Sequence, residues 1–184
     1  MTLALSRTIL KDMRAERTDD ATTGPPITVH AVGVARGNPG LAGAGIVITA
    51  ATGVVRERVA RYLGSATALH AQLQALALAL RYARPFAPTP LSLVLGNATV
   101  VRQLTGEHPA RHPAVLRMLA ELDELLAPFS GVTYRLGRGD ELAEAERLAN
   151  LGIDTRLHPL PAYDRPVPPH SPPPSPARRE RGRG

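Results

Sequence analysis

The chain of 184 residues has no cysteine, a single lysine and very few aromatic residues. Without cysteine it forms no disulfide framework, carries no thiol nucleophile and offers no cysteine-ligated zinc site. With Lys11 as its only lysine, it has no Walker-type phosphate-binding lysine. Hydrophobic residues make up 43% of the chain and aromatic residues only 3%, so its core has to be aliphatic and rich in alanine.

The sequence also lacks any long hydrophobic run. No segment approaches the roughly 18 to 20 consecutive apolar residues that a membrane-spanning helix needs. The first ten residues contain Arg7 and lead to no small-residue cleavage site, so we expect no secretory signal. These absences predict a cytoplasmic protein with no membrane partner. The length of the chain suits one ordinary domain with flanking segments.

The net charge of +6 is spread unevenly and suggests three segments. Residues 1–26 have balanced charge, and we interpret them as a partly disordered extension. Residues 27–154 contain twelve arginines and ten acidic residues, which leaves the predicted domain close to neutral. Residues 155–184 contain six arginines, two acidic residues and nine of the 18 prolines, a composition that predicts a disordered basic tail.

Hydrophobic patterning within residues 27–154 predicts the order β-β-β-α-β-α-α-β-α. Short turns join the first three strands, which must therefore pair antiparallel, and right-handed crossovers place the last two strands parallel to the first. The fold class is therefore α/β in the broad sense (α+β), with helices packed on a five-stranded mixed sheet. The predicted strands are 27–35, 43–50, 54–62, 91–95 and 132–136, and the predicted helices are 67–83, 97–104, 112–126 and 141–154.

Four short strings fall on these elements in a distinctive order. They are residues 36–45 (RGNPGLAGAG), 62–76 (YLGSATALHAQLQAL), 97–107 (NATVVRQLTGE) and 145–154 (AERLANLGID). Together with the element order, they resemble the compact type I domains of the ribonuclease H family. The resemblance covers residues 27–154 and implies a ribonuclease H-like fold.

The resemblance implies an activity that the matching residues do not support. Members of the family cleave the RNA strand of RNA–DNA hybrids, using two magnesium ions held by four carboxylates. The four positions fall here on Val32, Gln72, Gly96 and Glu146. Magnesium requires hard oxygen ligands in octahedral geometry, and three of these residues have no carboxylate to offer. We therefore predict no bound metal, no cofactor and no catalytic residue.

A shift of the matching register does not restore the carboxylates. Between residues 27 and 63 the only acidic residue is Glu57, which lies on the predicted third strand. Residues 64–106 contain no acidic residue at all. The later acidic group around Glu146 is most simply the N-terminal part of a helix, where negative charge complements the helix dipole.

The family's nucleic-acid-binding positions are altered as well. The two asparagines that precede the helix carboxylate in the family are Ala68 and Leu69 here, and the glutamine after the strand-four carboxylate is Ala98. The residues that remain as candidates for binding nucleic acid lie in the 36–40 loop, beside the fourth strand and in the arginine-glycine tail, which contacts phosphates without sequence preference. They are Arg36, Gly37, Asn38, Asn97, Arg178, Arg179, Arg181 and Arg183.

Two further features have structural interpretations as alternatives to function. His30 lies on the same side of the first strand as Val32, and because no carboxylate or cysteine neighbour is expected for it, it is predicted to be a satisfied or exposed histidine. The proline run at 172–176 can dock into an aromatic groove, or it can simply be part of a solvated tail.

The leading hypothesis is therefore an inactive ribonuclease H-like domain that binds RNA or an RNA–DNA hybrid, or regulates a process that involves them. One alternative is a protein-interaction module with an acidic protein partner and no nucleic acid. The other is a residual hybrid ribonuclease. The sequence gives no indication of the oligomeric state.

Overall fold

The computed structural model of the protein describes residues 25–157. The predicted extension and tail, with Arg178, Arg179, Arg181 and Arg183, lie almost wholly outside these residues. Within residues 25–157, five strands and four helices follow in the predicted order. The elements are β1 (Ile27–Gly37), β2 (Gly40–Ala50), β3 (Val55–Ala66), α1 (Ala68–Ala83), β4 (Leu91–Leu95), α2 (Ala98–Thr105), α3 (Pro113–Leu126), β5 (Val132–Leu136) and α4 (Ala143–Leu157), with short 3-10 turns at Arg84–Phe86 and Gly139–Leu142.

The five strands form one mixed sheet in the order β3-β2-β1-β4-β5. Strands β1, β2 and β3 pair antiparallel, and β4 and β5 continue the sheet parallel to β1. This topology confirms the predicted mixed sheet. Because β1 and β4 are neighbours with Ala31 opposite Leu95, the residues that follow, Val32 and Gly96, lie side by side at the C-terminal end of β4.

Alternating residues of the strands pack against helices on the two faces of the sheet. The larger cluster, which includes Val29, Leu93 and Leu73, lies between the sheet and helices α1 to α3. The smaller cluster lies between the sheet and α4. Aliphatic residues make up the buried core almost entirely, with Phe129 as the one aromatic member among the described residues, which confirms the aliphatic core expected from the composition.

The prediction of a loop over residues 36–40 was wrong. The β1–β2 ladder continues through the pairs Arg36–Leu41 and Gly37–Gly40, so only Asn38 and Pro39 form the turn. Gly37 has φ of +115°, a left-handed conformation that favours glycine, and it lets the ladder close this tightly.

Helix α4 also differs from the prediction, since it begins at Ala143 after a 3-10 turn and ends at Leu157. None of the helices in the described part of the chain is both long and apolar enough to cross a membrane.

Candidate functional site

Three of the four residues at the family's metal positions lie close together beside the C-terminal end of β4. Val32 lies on β1, Gln72 on α1, and Gly96 directly after β4. A Cβ atom added to Gly96 would lie 3.4 Å from a methyl carbon of Val32 and 3.5 Å from Oε1 of Gln72. The sequence-based register therefore places these positions together, as a shared site requires.

Val32 takes part in the hydrophobic packing beneath α4. Its side chain is only 4% exposed and belongs to the cluster that contains Val47, Val94 and Leu142. Ala145 and Leu148 of α4 complete this cluster. The position that would need a carboxylate thus supplies a methyl surface on which the last helix packs.

Gln72 is the one buried polar residue among residues 25–157, with 1% of its surface exposed. Its Nε2 donates a hydrogen bond to the carbonyl oxygen of Ala31 at 2.8 Å, and its Oε1 accepts one from the N–H of Gly33 at 3.2 Å. Both groups of the carboxamide are thus bound to the backbone on either side of Val32. Gln72 ties helix α1 to strand β1, and its polar atoms are satisfied without a ligand.

Glu146 is exposed on α4, next to Ala145 of the cluster that contains Val32. Its backbone carbonyl accepts a hydrogen bond from Nδ2 of Asn150, one turn further along the helix. Glu146 is thus the single carboxylate among the four family positions.

A divalent ion does not fit this set of residues. Val32 and Gly96 offer no donor atom, and the one carbonyl oxygen of Gln72 is already bound to Gly33. Magnesium requires several oxygen ligands, often carboxylates. Across residues 25–157, no group of three or more histidine, cysteine, aspartate or glutamate residues is arranged to hold a metal ion.

The described residues predicted to bind nucleic acid lie at the ends of helices and in the β1–β2 turn. The guanidinium of Arg36 donates to Asp154 at 2.7 Å and to Asn150 at 3.1 and 3.3 Å, linking β1 to α4. Gly37 is the last residue of β1 and pairs with Gly40 beside the turn described above. Asn38 accepts a hydrogen bond from the backbone N–H of Ala68, at the start of α1.

Asn97 is the N-cap of α2. Its Oδ1 accepts hydrogen bonds from the backbone N–H groups of Thr99 and Val100, at 3.0 and 3.2 Å. This is the ordinary way in which asparagine satisfies the first free N–H groups of a helix. Both asparagines therefore have structural partners, and their contact with nucleic acid stays a prediction.

The structure brings together a histidine and a carboxylate that the sequence did not connect. Nε2 of His30 lies 3.8 Å from Oε1 of Glu141. Each carboxylate oxygen of Glu141 also accepts a hydrogen bond from one terminal nitrogen of Arg135, Oε2 from Nη1 and Oε1 from Nη2. The expectation that His30 has no acidic neighbour was wrong, because the 3-10 turn before α4 returns Glu141 to the sheet. The period-two alternation that placed His30 on the same face as Val32 was the only signal available.

The electrostatics of this cluster follow from its geometry. The hydrogen bond from Arg135 lowers the pKa of Glu141 from its ordinary 4.5 to about 2. Burial lowers the pKa of His30 below 6.5, although the neighbouring Glu141 acts in the opposite direction. His30 is therefore mainly neutral in the folded protein near pH 7.

The comparisons with known proteins agree with the fold described above. The model of a family described as reverse transcriptase-like matches residues 31–152. The chain belongs to this ribonuclease H-like family.

This ribonuclease H-like domain is similar in sequence to two curated relatives. It is 30% identical over 129 residues to the bifunctional protein Rv2228c of Mycobacterium tuberculosis, covering 70% of this chain and 35% of that protein. It is 33% identical over 130 residues to ribonuclease HI of Halobacterium salinarum, covering 68% of this chain and 64% of that protein. The domain thus spans less than two thirds of the length of either relative.

Solved structures give the same assignment. The RNase H1 of Halobacterium salinarum is 29% identical, with a TM-score of 0.67 over 70% of this chain and 98% of that one. LC11-RNase H1, isolated from compost by a metagenomic approach and solved in complex with an RNA/DNA hybrid, is 27% identical, with a TM-score of 0.68 over 71% and 99%. The ribonuclease H-like domain here therefore shares the architecture of these proteins.

Proposed function

We propose that this ribonuclease H-like domain does not hydrolyse RNA–DNA hybrids and acts instead as a binding or regulatory module associated with RNA or RNA–DNA hybrids. One observation carries the proposal of inactivity. The carboxamide of Gln72 is hydrogen-bonded on both sides to the backbone of β1, at the place where a metal-binding site would need a free carboxylate.

The chemistry of hybrid cleavage explains why this observation matters. Two-metal hydrolysis requires ions that activate a water molecule and stabilise the leaving oxygen, and each ion needs several anionic oxygen ligands. Val32 and Gly96 supply none, and the amide of Gln72 is neutral. A single carboxylate, Glu146, leaves two divalent cations almost without compensating charge, so no productive pair of ions forms.

Two observations support an association with nucleic acid, namely the similarity to ribonucleases H and the positive net charge of the chain. Several relatives are ribonucleases H by name, and LC11-RNase H1 has been solved with an RNA/DNA hybrid. The chain carries a net charge of +6, and its four arginines from 178 to 183 suit phosphate contacts. Those contacts are non-specific, so binding is expected to weaken steeply as the salt concentration rises.

The protein-interaction alternative is favoured by a different observation. Asn38 and Asn97 direct their side-chain oxygens to backbone N–H groups at helix starts, and the family's other contact positions hold Ala68, Leu69 and Ala98. A domain that kept the fold but bound an acidic protein would have this same set of residues. The residual hydrolase remains the third candidate because the named relatives are ribonucleases.

A cleavage assay tests the proposed inactivity. The full chain is incubated with an RNA–DNA hybrid, labelled on the RNA strand, in magnesium and separately in manganese. We expect no product above a no-enzyme control. Metal-dependent product that is abolished by Glu146→Gln would overturn the proposal and establish the residual hydrolase.

Restoring the carboxylates tests the assignment of the positions. The triple variant Val32→Asp, Gln72→Glu, Gly96→Asp should bind manganese, measured by calorimetry, whereas the native chain should not. The same triple variant with Glu146→Gln should bind manganese more weakly. A folded triple variant without manganese affinity would show that these four positions do not form one site.

Titrations across salt distinguish nucleic acid from protein as partner. The full chain is titrated with hybrid, double-stranded RNA and single strands from low to physiological salt. We expect salt-dependent binding that weakens when Arg178, Arg179, Arg181 and Arg183 are replaced together by alanine. Absence of binding at low salt would reject nucleic acid as a partner and leave the interaction module.

A further inference from the structure

A groove of about 590 Å³ runs beside the edge strand β3, away from the altered metal position. Strand β3 ends the sheet on this side, with β2 as its partner, and the groove lies between β3 and helices α1 and α3. Apolar and aromatic residues, among them Tyr62, Leu78 and Met118, share its lining with four polar or charged residues, Arg61, Gln74, Arg81 and Glu121. Arg81 and Glu121 are paired with each other across the groove.

The C-terminal segment of the chain starts at this same edge of the sheet. The guanidinium of Arg156 lies 4.6 Å from the ring centroid of Tyr62 and donates to its hydroxyl oxygen. Tyr62 also lines the groove. Helix α4 ends one residue later at Leu157, so residues 158–184 continue from a point held against β3.

The composition of residues 158–184 fits such a groove. The segment contains nine prolines and five arginines, and its apolar residues include Leu160, Tyr163 and Val167. Proline-rich segments bind to apolar and aromatic grooves at a small entropic cost, because their backbone is already restricted. A dozen residues in polyproline conformation cover roughly 37 Å, so the segment is long enough to pass around β3 and lie along the groove.

We infer that the proline-rich segment 158–184 docks in cis into the groove formed by β3, α1 and α3. In this arrangement, prolines and other apolar residues of the segment contact Leu78 and Met118. The inference is independent of the proposed function, since it requires neither nucleic acid nor catalysis. Docking would hold the arginines that follow the proline run close to the domain.

Paramagnetic relaxation measurements on the full chain test this inference. Because the chain contains no cysteine, Ser175→Cys gives a single attachment site for a nitroxide label. We expect the label to broaden the amide signals of Gln74, Leu78 and Met118 selectively. The amides of Ser92 and Thr133 serve as internal references. Broadening that is no stronger at the groove than at these references would overturn the inference.

Two sets of variants give the test its controls. Met118→Arg in the groove should remove the selective broadening, whereas Leu116→Arg, at an exposed position of the same helix, should leave it unchanged. Replacing Pro172, Pro173 and Pro174 by glycine should also weaken it, and this change touches none of the residues of the domain. Equal broadening in all of these variants would contradict docking through the proline run.

A mixed sample separates docking within one chain from exchange between copies. Nitroxide-labelled chains without nitrogen-15 are mixed with unlabelled nitrogen-15 chains. We expect no selective broadening in the mixture. Broadening of the groove signals there would show that a second copy is the occupant and would overturn docking in cis.

Discussion

The carboxamide nitrogen of Gln72 donates a 2.8 Å hydrogen bond to the carbonyl oxygen of Ala31, which joins helix α1 to strand β1. The oxygen of the same carboxamide accepts from Gly33, two residues further along the strand. The pair of bonds needs one donor and one acceptor on the same side chain. A glutamine provides both, whereas an ionised glutamate provides only acceptors.

Gln72→Glu should therefore destabilise the fold in a pH-dependent way. At neutral pH we expect a loss of roughly 1–3 kcal/mol, because a buried carboxylate then faces the carbonyl oxygen of Ala31. Burial raises the pKa of that glutamate above its unfolded value, so the folded state binds the proton more tightly and the lost stability returns as the pH falls. Urea unfolding at several pH values measures this.

Gln72→Met provides the control for this experiment. It removes both hydrogen bonds without adding a titratable group, so its stability loss relative to the native chain should not change with pH. If the two variants showed the same pH profile, ionisation of the buried glutamate would not be the source of the pH dependence.

His30 should contribute a separate dependence of stability on pH. Its pKa is lowered in the folded state, mainly by burial, with Glu141 and Arg135 as its charged neighbours. Its contribution is complete above the unfolded value of about 6.5 and is lost as the pH falls through the lowered folded value. We expect the free energy of unfolding to decrease below about pH 6.5, and His30→Asn to flatten that decrease.

The matched control for His30 is His108→Asn, since His108 is exposed in the loop between α2 and α3. This variant should keep the native pH profile. Retention of the full decrease in His30→Asn would assign it to other groups.

Gly45 permits the closest approach between α4 and the sheet. A Cβ atom at this position would lie 1.8 Å from the carbonyl oxygen of Ala145 and 2.5 Å from the nitrogen of Ala149. Gly45→Ala must therefore displace the helix, at a cost of about 1–3 kcal/mol or more. Gly131→Ala, where the added atom meets nothing within 4 Å, should be close to neutral. Equal denaturation midpoints for the two variants would refute this account of the packing.

Asn97 allows capping to be separated from nucleic-acid recognition. Asn97→Ala should lower stability by about 0.5–2 kcal/mol, because two N–H groups at the start of α2 lose their acceptor. Asn97→Asp caps equally well and should restore stability. If binding to a hybrid uses the side-chain amide, the aspartate variant should bind more weakly despite its native stability. Unchanged binding would limit Asn97 to its structural role.

The order of elements could be predicted because each one carries a local signal. Alternation in β3 and the leucine spacing in α1 depend only on residues close in the sequence, and so do the prolines that end α1. The three positions carried over from the family could be expected together for a different reason, since the strings around them resemble family strings. Local patterns therefore predicted the order of elements, and the resemblance predicted which residues to examine as a site.

The contacts within the site could not be predicted in the same way. The two backbone partners of Gln72 lie 39 and 41 residues away, and the family match that singles out Gln72 does not indicate them. The link between His30 and Glu141 likewise depends on a 3-10 turn that follows no strong motif. The turn at Asn38 and Pro39 was predicted too long because glycine and proline indicate a turn but do not set its length.

The packing of Val32 makes a four-carboxylate site difficult to build one substitution at a time. Val32→Asp alone would place an unpaired charge at a position that is 4% exposed and remove a methyl contact with α4. Gln72→Glu alone would lose the hydrogen bond from α1 to the carbonyl oxygen of Ala31. Each single substitution thus lowers stability before a bound ion can offset the loss. A four-carboxylate site therefore requires the substitutions to be made together.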